Sequence, residues 1–160
     1  MKLILIFLKG LVRRVFKDAF DVEEDADFAY HDCPDSASAR LYDEGGEAGP
    51  DPDQLKLDLR NGPGSRWNKA VFKILLAKLR KSEAEDCWQL PKVADVYLDS
   101  LIQQKYNRAR VEWRRAQMKE TYRDVIETPE EVEYRINEYR TSHQKRARDC
   151  WRRRAVSGHT

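Results

Sequence analysis

The chain has 160 residues, of which 36% are charged and 41% apolar. That is one domain's worth of polypeptide with apolar material for a modest core, which fits a bundle of a few helices and excludes a nucleotide-binding sheet or a TIM barrel. The net charge of +2 conceals a separation: residues 1–59 carry 7 basic and 14 acidic side chains, net −7, and residues 60–160 carry 23 and 14, net +9.

Residues 1–17 form a basic leader in which Lys2, Lys9, Arg13, Arg14 and Lys17 precede any acid. Its apolar run, Leu3 to Leu8, is shorter than the core of a signal peptide and far short of the roughly 20 residues that span a membrane. Neither export nor a membrane span is expected. A short amphipathic helix that packs Leu5, Leu8, Val12 and Phe16 onto the rest of the chain is the expectation. The alternative, a mitochondrial-type presequence, is opposed by the lack of serine before Ser36.

Residues 18–64 read as an acidic, largely disordered arm followed by a Gly/Pro linker. From Asp18 to Gln54 there are 13 acids against Arg40 alone, and mutual repulsion of carboxylates opposes compaction. Phe20, Val22, Phe28, Tyr30, Leu41 and Tyr42 punctuate the acid. Three uses remain open for such a segment: a solvated tail, a docking segment for a protein partner, or a strip that folds back to screen the basic half. Gly45, Gly46, Gly49, Pro50, Pro52, Gly62, Pro63 and Gly64 mark the linker. Leu55, Leu57 and Leu59 alternate with polar residues and predict a short extended arm pressed against the body.

Residues 65–126 form the helical body. Ser65 is a good N-cap, and Trp67, Ala70, Val71, Ile74, Leu75 and Leu79 make one continuous helical stripe that ends around Ser82 to Glu85. After a connector with Cys87, Trp88 and Pro91, a second stripe runs through Ala94, Leu98, Leu101, Ile102, Tyr106, Ala109, Trp113 and Ala116. It fits one long helix or two broken near Asn107.

Residues 127–160 form a basic C-terminal helix and tail. Thr128, Pro129, Glu130 and Glu131 supply an N-cap, a proline at the first helical position and a glutamate able to close a capping box. The stripe that follows is thin: Val132, Ile136, Tyr139, His143, Ala147 and Cys150. This spacing approximates a heptad seam and predicts a long, largely exposed helix, open to pairing with a partner or a second copy.

Catalytic and metal chemistry find little support. Cys33, Cys87 and Cys150 lie more than fifty residues apart, so the spacing of a usual zinc site is absent, and free thiols in a reducing compartment are expected. His31 with Cys33, and His143 with Cys150, lack further ligands or an orienting group. No phosphate-binding loop or nucleophile elbow occurs. The expectation is a non-catalytic protein with no cofactor and no metal.

The basic residues are better candidates. Between Lys105 and Arg123 stand seven basic residues and two acids. Lys105, Arg108, Arg115 and Lys119 recur at helical spacing, Arg110 and Arg114 extend the surface, and Tyr106, Ala109, Trp113 and Ala116 face inward. A helix that buries aromatics and presents arginines can neutralise phosphates and release counterions. A second cluster of Lys145, Arg146, Arg148, Arg152, Arg153 and Arg154 suits a phosphate-contacting tail or a nuclear-import signal.

Trp67, Trp88 and Trp113 together resemble the tryptophan triplet of Myb/SANT-type three-helix DNA-binding domains. The resemblance implies core roles for the three tryptophans and nucleic-acid contacts for Lys105, Arg108, Arg110, Arg114 and Arg115. The intervals are longer than that family's, and Arg66, Lys69 and Lys73 stand where its first helix is acidic. The chain is also similar to a group of uncharacterised helical proteins from mushroom-forming fungi. The shared stretches are GPG-x-RWN at Gly62 to Asn68, Leu-Ile-x-x-Lys-Tyr at Leu101 to Tyr106, and Glu-Thr-Pro-x-Glu-Val-Glu at Glu127 to Glu133. That resemblance implies no established activity.

The expectation is therefore an all-α small bundle behind an acidic arm, associated with nucleic acid (duplex DNA) and nuclear. Its sites are Lys105, Arg108, Arg110, Arg114, Arg115, Lys119, Arg146, Arg152, Arg153 and Arg154. The alternative is a cytoplasmic helical adaptor with no nucleic-acid role, contacting protein through the acidic arm or the C-terminal helix.

Overall fold

The computed structural model describes residues 2–85, 94–120 and 125–157, so Cys87, Trp88, Pro91 and Arg123 lie outside the described residues. The elements in chain order are α1 (Lys2–Phe20), a 3-10 helix (Asp25–Tyr30), α2 (Ser36–Asp43), α3 (Arg66–Glu85), α4 (Asp95–Ala116) and α5 (Pro129–Ser157). Among the described residues there is no strand, only an isolated bridge between Glu120 and Ile126. The class is all-α, as expected from helical periodicity. The chain divides into two compact units, residues 1–114 and residues 115–160.

The N-terminal unit is built around three apolar stripes. Leu8, Leu11, Val12, Val15 and Phe16 of α1 join Trp67, Val71, Phe72, Leu75 and Leu79 of α3 and Leu98, Leu101, Ile102, Tyr106 and Ala109 of α4 in one buried cluster. The leader is thus a core helix, and α4 is one uninterrupted helix through Asn107. Trp67 is buried and Trp113 packs against the cluster. No described helix is long and apolar enough to cross a membrane.

The acidic segment, expected to be disordered, is instead folded. Its phenylalanines converge on α1, the Phe20 and Phe28 rings lying 5.4 Å and 6.3 Å from Phe16 with Phe28 fully buried, whereas Tyr42 packs on Trp67 of α3 and Tyr30 is exposed. Cations from outside the segment answer its carboxylates, with Lys17 on Glu23, Lys56 on Asp32 and Lys105 on Asp25. Three further acids accept backbone N–H groups at helix starts. Asp27 accepts from the backbone N–H groups of Glu23 and Glu24, and Asp35 accepts from Ser38 N–H at the start of α2. Asp43 reaches α3, accepting from Trp67 N–H at 2.7 Å. The turn after α2 uses Gly45 at φ +114°, a conformation that favours glycine.

Leu55, Leu57 and Leu59 are buried, as their alternation predicts. With no neighbouring strand, their segment satisfies its backbone through side chains. Trp67 Nε1 donates to Lys56 O, Asn68 Nδ2 to Asp58 O and Gly62 O, Tyr106 OH to Asn61 O, and Arg110 to Leu59 O and Arg60 O. Asp58 N–H in turn donates to Asn68 Oδ1, and the buried Asp58 carboxylate accepts from Arg60 and Asn61. This is the work of the GPG-x-RWN stretch: Ser65 caps α3 through Asn68 N–H, and Trp67 and Asn68 bolt the extended segment to the helix.

The C-terminal unit closes around Arg135. Its guanidinium donates to Arg115 O and Gln117 O and forks onto the Glu127 carboxylate at 2.9 Å and 2.7 Å. That bond holds the Glu127 carboxyl below the usual carboxylate range. The capping box forms as expected, with Glu131 N–H on Thr128 Oγ1 and Thr128 N–H on the Glu131 carboxylate. Val132 and Ile136 are buried, whereas every residue from Thr141 to Arg148 is exposed.

Candidate nucleic-acid interface

The expected basic face of α4 divides once its side chains are placed. Lys105 is only 11% exposed, is paired with Asp25 and lies over the Phe16 ring, so its charge is spent inside the unit. Arg110 is half-buried on the carbonyls of Leu59 and Arg60, where it fastens the extended segment. Helical spacing alone does not reveal the acceptors that tertiary folding brings to Lys105 and Arg110. Arg108 and Arg114 are exposed on α4.

In the C-terminal unit, Arg115 stacks over the Tyr139 ring at 4.1 Å. Lys119, expected on the same helical face as Lys105, lies beyond the end of α4 at Ala116 and is exposed. Its backbone N–H donates to the Glu127 carboxylate. Inward packing of Tyr106 and Ala109 agrees with expectation, both being fully buried. Burial pushes the Tyr106 phenol up to about 12.

The second cluster lies on α5. Arg146 and Arg152 are exposed, and Arg152 makes a 3.9 Å ion pair with Asp149 one turn away. Arg153 and Arg154 belong to α5, but their side chains lie outside the described residues. From residue 137 to residue 157 the helix carries seven basic and two acidic side chains. A shallow hollow of about 380 Å³ on α5 is lined by Arg135, Glu138, Tyr139, Ser142, His143 and Arg146. The Tyr139 and His143 rings lie beside it, 5.9 Å apart.

Two basic residues that charge counting along α4 did not single out take a place beside it. Lys9 and Arg13 of the leader line a crevice with Gln104, Lys105 and Arg108 of α4. Helical spacing at Lys9 and Arg13 is visible in the sequence, but their approach to Arg108 is a product of the fold. No cluster of three or more His, Cys, Asp or Glu suited to a metal occurs among the described residues. The His31 ring packs against both the Phe20 and Phe28 rings, at 5.7 Å and 5.6 Å, with Nε2 at 3.1 Å from Leu57 N and 3.2 Å from Leu57 O. Burial lowers its pKa.

Comparison with protein-family models, curated proteins and solved structures finds no match.

Proposed function

We propose that this protein is a nuclear, non-catalytic nucleic-acid-binding protein whose principal contact with duplex DNA is the exposed basic stretch of α5. The observation that carries this reading is a helix from residue 137 to residue 157 with seven basic and two acidic side chains, exposed on all sides between Thr141 and Arg148. A helix polar all round buries no apolar face of its own and gains little from packing. Phosphates supply what it lacks: counter-charge, acceptors for arginine forks and the entropy of released counterions. A helix of this width fits the major groove of B-form DNA. Arg108 and Arg114 are exposed and suited to backbone contacts, whereas Lys105 and Arg110 are assigned to the fold.

Lys145→Ala with Arg146→Ala and Arg148→Ala tests the reading in the full chain. Loss of three phosphate contacts reduces the dependence of log affinity on log salt by about 2 to 3. Binding that keeps its strength and its salt slope contradicts the proposal.

The adaptor reading rests on a different feature of α5, the exposed Tyr139, His143, Ala147 and Cys150 at heptad-like spacing. It requires a helix pair, and Tyr139→Asp dissociates that pair in sedimentation. A chain that is monomeric at high concentration excludes pairing with a second copy.

A further inference from the structure

We infer that the crevice between α1 and α4 is a binding site for a phosphate group. This goes beyond the α5 reading and does not depend on it. Two pairs of residues, each one turn apart, face the opening: Lys9 and Arg13 on α1, Gln104 and Arg108 on α4. Val12 and Leu101, both buried, form its floor. None of the described residues that line it is acidic.

The neighbouring charge is already accounted for. Lys105 also lines the crevice, but its ammonium is held by Asp25 over the Phe16 ring. Asp25 is thereby engaged and does not neutralise the other cations. Lys9, Arg13 and Arg108 have no acidic partner among the described residues. Three like charges around one hollow repel one another, and an anion seated between them relieves that repulsion.

Shape and donor type narrow the ligand. The space is about 30 Å³, which admits the inner oxygens of one tetrahedral oxyanion and no base or sugar ring. Two guanidinium forks, an ammonium and a side-chain amide offer donors from both walls, and arginine forks match the oxygens of phosphate in pairs. The apolar floor removes competing water from one side and strengthens those contacts. One phosphoryl group, free or within a phosphodiester, satisfies this arrangement.

The test is titration of the full chain with inorganic phosphate and, separately, with dimethyl phosphate, followed through the backbone amide signals of the lining residues Val12, Gln104 and Lys105, which every variant below retains. A saturable response at these amides is expected. Arg13→Gln with Arg108→Gln weakens it at least about tenfold, because both forks are lost. Lys73→Gln with Lys78→Gln removes the same charge from exposed positions of α3 and changes it less than about twofold. Circular dichroism verifies that both double variants are folded. Saturation by dimethyl phosphate assigns the site to a phosphodiester; saturation by inorganic phosphate alone assigns it to a free or terminal phosphate, and either result supports the site. A response that rises linearly without saturation, or one weakened equally by both double variants, overturns it. The α5 triple substitution leaves the phosphate response unchanged, so failure of this site and failure of the α5 reading are separately visible.

Discussion

Replacing Asn68 with alanine strips two donors and one acceptor from a fully buried position. The N–H of Asp58 loses its partner, while the Asp58 carbonyl keeps Tyr106 OH and the Gly62 carbonyl keeps Ser65 N–H. The unsatisfied buried N–H costs about 1–3 kcal/mol and each of the two lost carbonyl bonds about 0.5–1.5 kcal/mol, so Asn68→Ala is expected to destabilise the chain by about 2–4 kcal/mol in urea denaturation. A loss below about 0.5 kcal/mol contradicts the bolting role. His31 provides a second test. Its pKa is lowered by burial, so the unfolded chain binds more protons as pH falls through the ordinary histidine value of about 6.5. Stability is full above that value and declines as the solution is acidified from pH 7 to about 5. The shifted carboxylates of Asp32, Asp35 and Glu127 act lower, below their ordinary values. His31→Phe is expected to flatten the pH dependence of Tm between pH 7 and about 5. An unchanged slope removes His31 as its source.

At the scale of elements, a helix is legible where its apolar stripe is dense and its cap is polar. Trp67 to Leu79 and Leu98 to Ala109 announce α3 and α4 in this way, and Thr128 with Glu131 announces α5. Thr128→Ala removes that cap at a cost of about 1 kcal/mol, so amide exchange at Glu131 is expected to quicken roughly fivefold. Exchange that is unchanged denies the cap its role. The acidic segment was illegible for a physical reason. Its composition counts repulsion among carboxylates but not the cations that answer them, one of which, Lys105, stands 80 positions from Asp25. The same blindness affected the site. A helical face shows where Lys105 and Arg110 point, but not that Asp25 and the carbonyls of Leu59 and Arg60 wait there. Nor does any glycine or proline warn that α4 stops at Ala116, short of Lys119. Lys9 and Arg13 meet Arg108 across about 95 positions, beyond the reach of any local pattern.

For the whole molecule, charge is divided between structure and surface. Residues 1–59 are net −7, yet much of that acid caps helices or pairs with Lys17, Lys56 and Lys105 inside the N-terminal unit. The surplus of arginine and lysine lies in exposed positions, most densely on α5. A net charge of only +2 predicts weak general attraction to polyanions, so tight binding requires the local concentration of charge rather than the average. The decisive measurement is fluorescence anisotropy of a labelled DNA duplex with the full chain across a series of salt concentrations. Saturable binding is expected, with log affinity falling linearly with log salt at a slope of about −4.5 to −6.3 for roughly five to seven neutralised phosphates. No binding at low salt, or binding with a slope near zero, contradicts it.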